Sequence, residues 1–83
     1  MIGETLAQAR DFTAELDALV LEGKRILVRK GMTAEDMQAF GLFSSAGKAG
    51  HGEAQLFLYQ CYRSGWGVLE NRSEAIEIGR AHV

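Results

Sequence analysis

Shifted by 36 residues against itself, the chain lays Ala39 and Phe40 on Ala75 and Ile76, Asp17 and Ala18 on Glu53 and Ala54, Ile26 on Tyr62, and Gly31 on Gly67. A fixed period of this size, with one helix pair per unit, marks an array in which each unit stacks on the next. It constrains the fold strongly, because a lone helix pair leaves an apolar face uncovered. The composition agrees. There is no proline in 83 residues and 47% are hydrophobic, with Ala, Leu and Glu prominent and few β-branched runs, which favours helices over strands. The chain is read as all-α, with four helices in two antiparallel hairpins.

The pattern along the chain places those helices. From Glu4 to Lys30 the residues Leu6, Ala9, Phe12, Leu16, Leu19, Val20, Ile26 and Leu27 recur three or four apart, as on one face of an amphipathic helix. Gly23 falls on that face and predicts a close helix crossing. Lys24, Arg25, Arg29 and Lys30 fall in the last turns, where cations meet the negative end of the helix dipole, and Gly31 follows as a stop. Thr33 before Ala34, Glu35 and Asp36 starts a second helix, with Met37, Phe40, Leu42, Phe43 and Ala46 as its apolar positions and an end at Lys48 to Gly50. A third begins near Gly52 and carries Ala54, Leu58, Cys61 and Tyr62 on one face, with Leu56 and Phe57 widening the stripe. Ser64 to Gly67 form a glycine-bracketed loop. Asn71 or Ser73 caps a fourth helix bearing Ala75, Ile76 and Ile78.

The chemistry available to the chain is limited. Cys61 is the single cysteine, so no intrachain disulfide forms, and with His51 and His82 as the only histidines no four-ligand zinc spacing can be assembled. A chain this short buries only about 60% of the surface its unfolded form exposes. Without a disulfide or metal, it is expected to lean on a neighbour, with further repeats or self-association covering its C-terminal face. A net charge of −2 with scattered Lys and Arg offers no footprint for a phosphate backbone, so nucleic acid is not an expected partner. Glu4, Arg10, Asp11, Glu15 and Asp17 interrupt the early apolar runs before any could serve as a signal-peptide core or membrane span. A cytoplasmic protein with no membrane partner is expected. No paired carboxylates, nucleophile elbow or phosphate loop appears, and Gly47, Gly50 and Gly52 lie between helices rather than after a strand. No enzymatic activity and no cofactor are expected.

The stretch from Ala46 to Ile76 resembles the Sel1-like repeat family, a helix-turn-helix relative of the tetratricopeptide repeat. The resembling residues are Ala49-Gly50-His51-Gly52-Glu53-Ala54-Gln55, then Leu58 and Tyr62, then Gly65-Trp66-Gly67-Val68, and Ala75-Ile76. The resemblance implies an α/α solenoid in one domain over residues 1–83, with 1–50 a degenerate first repeat or N-terminal cap and 51–83 the second repeat. Each matched residue also has a physical role. Ala54 and Ala75 let helices approach, Leu58, Tyr62 and Ile76 fill the space between them, Gly65 and Gly67 make the turn, and Val68 plugs the hairpin. Two departures stand out. Tyr59 occupies a position that is usually small, and Glu22 and Gly23 stand where the second repeat has Leu58 and Tyr59. The ending Glu77 to Val83 reads as the translation of a widely used sequencing adapter, in which case the protein continues further.

The resemblance implies a non-enzymatic scaffold or adaptor that binds an unknown protein or peptide through stacked hairpins. Trp66, Tyr59 and Phe57 are the candidate partner-binding residues, because exposed aromatic side chains anchor interfaces. Against Trp66 stands packing on its own hairpin. His51 is expected to bond the backbone at its turn rather than act as a ligand or base, Cys61 to be buried filler, and the basic cluster to be a solvated face. Two other readings remain open: a cysteine-poor relative of the β-lactam-binding or hydrolysing members of the family, which carry paired cysteines absent here, and a regulatory helical appendage of a larger enzyme.

Overall fold

The computed structural model describes the backbone of residues 2–82 and the side chains of residues 13–80. Among them are four helices and no strand: α1 (Ile2–Ile26), α2 (Ala34–Lys48), α3 (Gly52–Ser64) and α4 (Arg72–His82). The last three start on caps that the sequence supplies. Thr33 Oγ1 accepts from the Asp36 amide at 3.1 Å, His51 Nδ1 from the Ala54 amide at 3.2 Å, and Asn71 Oδ1 from the Glu74 amide at 3.1 Å. Each satisfies a backbone donor that the helix cannot, at about 0.5–2 kcal/mol per cap. At the far end of α3, Gly65 turns left-handed at φ 77° and its amide closes on the Cys61 carbonyl at 2.8 Å. Gly67, at φ 72°, then brings the chain so close to α2 that a Cβ there would run into the Asp36 carbonyl.

Helix α1 ends at Ile26 rather than at Lys30, and Lys30, not Gly31, takes the left-handed conformation, at φ 57°. The cause lies in α2. The Asp36 carboxylate accepts the amides of Lys30 at 3.3 Å and Gly31 at 2.9 Å, so these donors do not continue the ladder of α1. The Gly31 carbonyl in turn accepts the Gly67 amide at 2.6 Å, which ties the α1–α2 loop to the α3–α4 loop. Arg29 and Lys30 consequently leave the last turn of α1, and only Lys24 and Arg25 remain there.

The helices pack chiefly in chain order, α1 on α2, α2 on α3 and α3 on α4. The radius of gyration is 13.9 Å, against about 12 Å for a compact chain of this length, so the array is drawn out. Its core comprises Val20, Leu27, Ala39, Phe43, Ala46, Ala54, Leu58 and Cys61. Phe43 is fully buried and stacks on Phe57 with centroids 4.5 Å apart. Gly23 does mark a close crossing, since a Cβ on it would stand 2.7 Å from the Phe43 ring. The equivalent site 36 residues on reverses the sizes: Tyr59 replaces the glycine, and Gly79, against its ring, replaces the phenylalanine. A large and a small residue thus meet at this level in both hairpins, so Tyr59 is accommodated without widening the contact.

Three positions expected on apolar faces lie outside, Leu56 among them at 51% exposure, since α3 turns Ala54, Leu58 and Cys61 inward. Ile76 is 53% exposed, because Ala75 and Ile78, three apart, turn toward α3 and leave Ile76 about 100° round the helix. Met37 is exposed for the same reason, the inward face of α2 being Asp36, Ala39, Phe43, Ala46 and Gly47. Tyr62 is half-buried, its ring edge-on to Phe40 at 5.4 Å, and Val68 packs against the core as expected. Leu6, Ala9 and Phe12 lie outside the residues whose side chains are described. Within the ending Glu77 to Val83, residues 77–80 continue α4 and the side chains of 81–83 are likewise outside.

Candidate functional site

Because α2 and α4 flank α3, a groove opens along α3 between them. Leu58 and Tyr62 from α3 and Ile78 from α4 provide its apolar lining, while Lys48 at the end of α2 and Glu74 in the first turn of α4 provide opposite charges, around a cavity of about 200 Å³. Gly47 allows this closeness, since a Cβ there would stand 2.7 Å from Leu58 Cδ1. Gln55 closes the end by donating to the Gly47 carbonyl at 3.1 Å. A second hollow, bounded by Leu56, Tyr59 and Gly79, shares Gln55 and Ile78 with the first. Burial, and then the charge of Glu74, push the Tyr62 phenol above its ordinary pKa, which keeps its hydroxyl a donor.

The three candidate aromatic residues do not share one patch. Tyr59 borders the second hollow and therefore the groove. Phe57 is half-buried on the Phe43 ring. Trp66 is half-buried against the core, and Lys30 Nζ sits 5.3 Å from its ring centroid, within range of a cation–π attraction.

His51 has both ring nitrogens engaged. Nδ1 accepts the Ala54 amide, and Nε2 lies 2.6 Å from Asp17 Oδ1 on α1. The tautomer with its hydrogen on Nε2 satisfies both partners, so the ring caps α3 and braces it to α1. The Asp17 contact has no signature in the sequence, because the two residues are 34 apart on different helices. Cys61 is fully buried, and burial together with the charge of Asp36 pushes its thiol up to about 11. A thiol so placed is a packing element rather than a nucleophile.

Asp36 was legible only as a first-turn acid and proves to be the buried charge among the described residues. Burial pushes its pKa up, but hydrogen bonds from the Gly31 amide, from Thr33 and from the Lys30 amide outweigh this and hold the carboxyl below its usual value. Thr33 followed three residues later by an acid is the pattern that announces such a cap. The basic cluster is divided. Lys24 pairs with Glu53 at 3.1 Å, Arg25 with Glu22, and Lys30 covers Trp66.

Among the described residues no group of three or more His, Cys, Asp or Glu side chains is placed to hold a metal ion, and no helix is long and apolar enough to cross a membrane. Compared with protein-family models, with curated proteins and with solved structures, the chain finds no match.

Proposed function

We propose that this chain is a non-enzymatic protein-interaction module, a Sel1-like α/α solenoid that holds a peptide or protein partner in the groove along α3. The open apolar groove between α2 and α4, with a cation and an anion on its rims, carries the assignment. An extended segment fits such a site by burying an apolar side chain over Leu58, Tyr62 and Ile78, while Lys48 and Glu74 select its flanking charges. Tyr59 extends the surface, whereas Phe57 and Trp66 support it from within the hairpins. The drawn-out packing of helices in chain order supports an array that binds along a face rather than in an enclosed pocket.

The test is selection of binders from a displayed peptide library, followed by amide shift mapping. Binders should perturb residues of the groove, and the charge reversals Lys48→Glu and Glu74→Lys, both at exposed positions, should weaken them about tenfold or more. Binders that map elsewhere, or that ignore both reversals, would overturn the proposal.

A further inference from the structure

We infer that His51 is a proton-operated clasp at the start of α3, holding the first turn of the helix while the ring is neutral and releasing it when the ring takes a proton. A backbone amide can only donate, so the bond from the Ala54 amide to Nδ1 at 3.2 Å requires a lone pair on that nitrogen. The one ring hydrogen then lies on Nε2, where Asp17 Oδ1 stands 2.6 Å away. Both contacts hold together only in this neutral form. A second proton has one place to go, Nδ1, and there it points at the Ala54 hydrogen, donor against donor. The cap is lost.

The charges around the ring decide which contact survives. On α1, Asp17 faces Nε2; on α3, Glu53 follows two residues on and is held by Lys24 of α1 at 3.1 Å; Lys48 ends α2 three residues earlier. Among the described residues, the hollow beside the ring is bounded by Thr13, Leu16, Asp17, Ala49, Gly50 and Gly52, so Asp17 is the titratable group within it. An imidazolium gains by staying with that carboxylate, because a charge-assisted hydrogen bond is stronger than a neutral one. It loses at α3, whose first turn carries the positive end of the helix dipole. Protonation therefore moves the allegiance of the ring from α3 to α1, and the adjoining hollow gives it room to turn. Histidine is the side chain suited to this, since its charge changes between about pH 5 and 8.

The turn that is released carries two connections. Glu53 pairs with Lys24, and Gln55 donates to the Gly47 carbonyl at 3.1 Å, closing one end of the groove along α3. Without its cap the turn at residues 52–55 frays, and the groove opens at that end. An effect on peptide capture rests on the binding reading proposed above; the clasp does not, because it is read at the Ala54 amide. The lost cap and the strengthened Asp17 contact oppose each other in stability, so a local probe reports the switch and a melting temperature does not.

Amide hydrogen exchange followed by NMR from about pH 7.5 to 5, alongside the ring signals of His51, tests this. At the upper end the ring hydrogen should be on Nε2. Relative to its intrinsic rate, the Ala54 amide should exchange about fivefold or more faster once the ring is protonated, which is what losing a typical cap brings. The Glu74 amide, capped by the non-titrating Asn71, should hold steady. His51→Asn supplies a cap that does not titrate in this range and should keep Ala54 protected throughout; where that variant melts early, His51→Ser takes its place. Ala54 protection indifferent to the charge of His51, a ring hydrogen on Nδ1 at neutral pH, or a capping variant that loses Ala54 protection over the same range would each overturn the inference.

Discussion

Gly23→Ala sets a packing cost against a gain in helix propensity, and the surroundings of Phe43 decide between them. A Cβ at Gly23 would lie 2.7 Å from Phe43 Cε1, 2.9 Å from Cζ and 3.2 Å from Cδ1. Carbon atoms rest at about 3.5–4.0 Å, so the ring must retreat by roughly 0.8 Å or more. It has little room to move, because Phe43 is fully buried and one face of its ring lies against Phe57. Overpacking of this kind costs about 1–3 kcal/mol, and replacing a helical glycine by alanine returns only about 0.5–1 kcal/mol. A net loss of up to about 2.5 kcal/mol follows, which lowers the Tm by roughly 4–8 °C for each kcal/mol in a domain of this size. Gly41→Ala is the matched control: it makes the same change within α2, where a Cβ would meet nothing within 4 Å, and should stabilise by about 0.5–1 kcal/mol. Urea unfolding of both variants measures the difference. Adding Phe43→Leu to Gly23→Ala should recover part of the loss relative to Phe43→Leu alone, with a coupling of about 0.5 kcal/mol or more. If Gly23→Ala stabilises the protein as much as Gly41→Ala does, the close crossing of α1 and α2 is refuted.

Asp36→Asn should cost about 1–3 kcal/mol, because an amide cannot accept the amides of both Lys30 and Gly31 as a carboxylate does. The folded pKa of Asp36 is depressed, so its contribution is present above the unfolded pKa and disappears as pH falls through the folded one. Urea midpoints at a series of acidic pH values should therefore fall less steeply for Asp36→Asn than for wild type, and equal slopes would count against a native ionised Asp36. Cys61, with its thiol pushed up to about 11 and its side chain buried, should not react with Ellman's reagent at pH 8 until the chain unfolds, when one thiol per chain appears; prompt reaction of the native protein would contradict its placement. Gly67→Ala combines a left-handed backbone with a clash on the Asp36 carbonyl and should cost more than ~2 kcal/mol, whereas Gly31→Ala, which meets open space, should change the melting temperature little.

Much of this architecture is local and can be read along the chain. Thr33, His51 and Asn71 cap helices because a polar side chain just before a helix reaches its free amides whatever lies farther off. Gly65 and Gly67 mark a turn because only glycine enters the left-handed region without strain. The apolar spacing that gave four helices depends on a period of 3.6 residues, again a property of the segment alone. The groove was less legible. Leu58 and Tyr62 stood out as interior positions, but that Lys48 and Glu74 flank them follows from how α2 and α4 sit on α3, which helix periodicity does not specify.

Ile76 shows where such reading stops. Its periodicity placed it on an apolar face, yet α4 turns Ala75 and Ile78 inward, because the orientation of a helix is settled by the shapes it meets, here Tyr59 against Gly79. Asp36 shows the same from the polar side: it looked like a solvated first-turn acid and is buried, because loops 27–33 and 65–71 close over it. The sequence by itself determined that this chain is helical, where its helices begin and turn, and that its two halves share a register, since these depend on neighbours within a few residues or on comparing the chain with itself. Only the tertiary structure decided that a carboxylate would end α1, that His51 would meet Asp17, and that Phe43 would fill the space left by Gly23, since each of these joins groups that the chain keeps far apart until the helices pack.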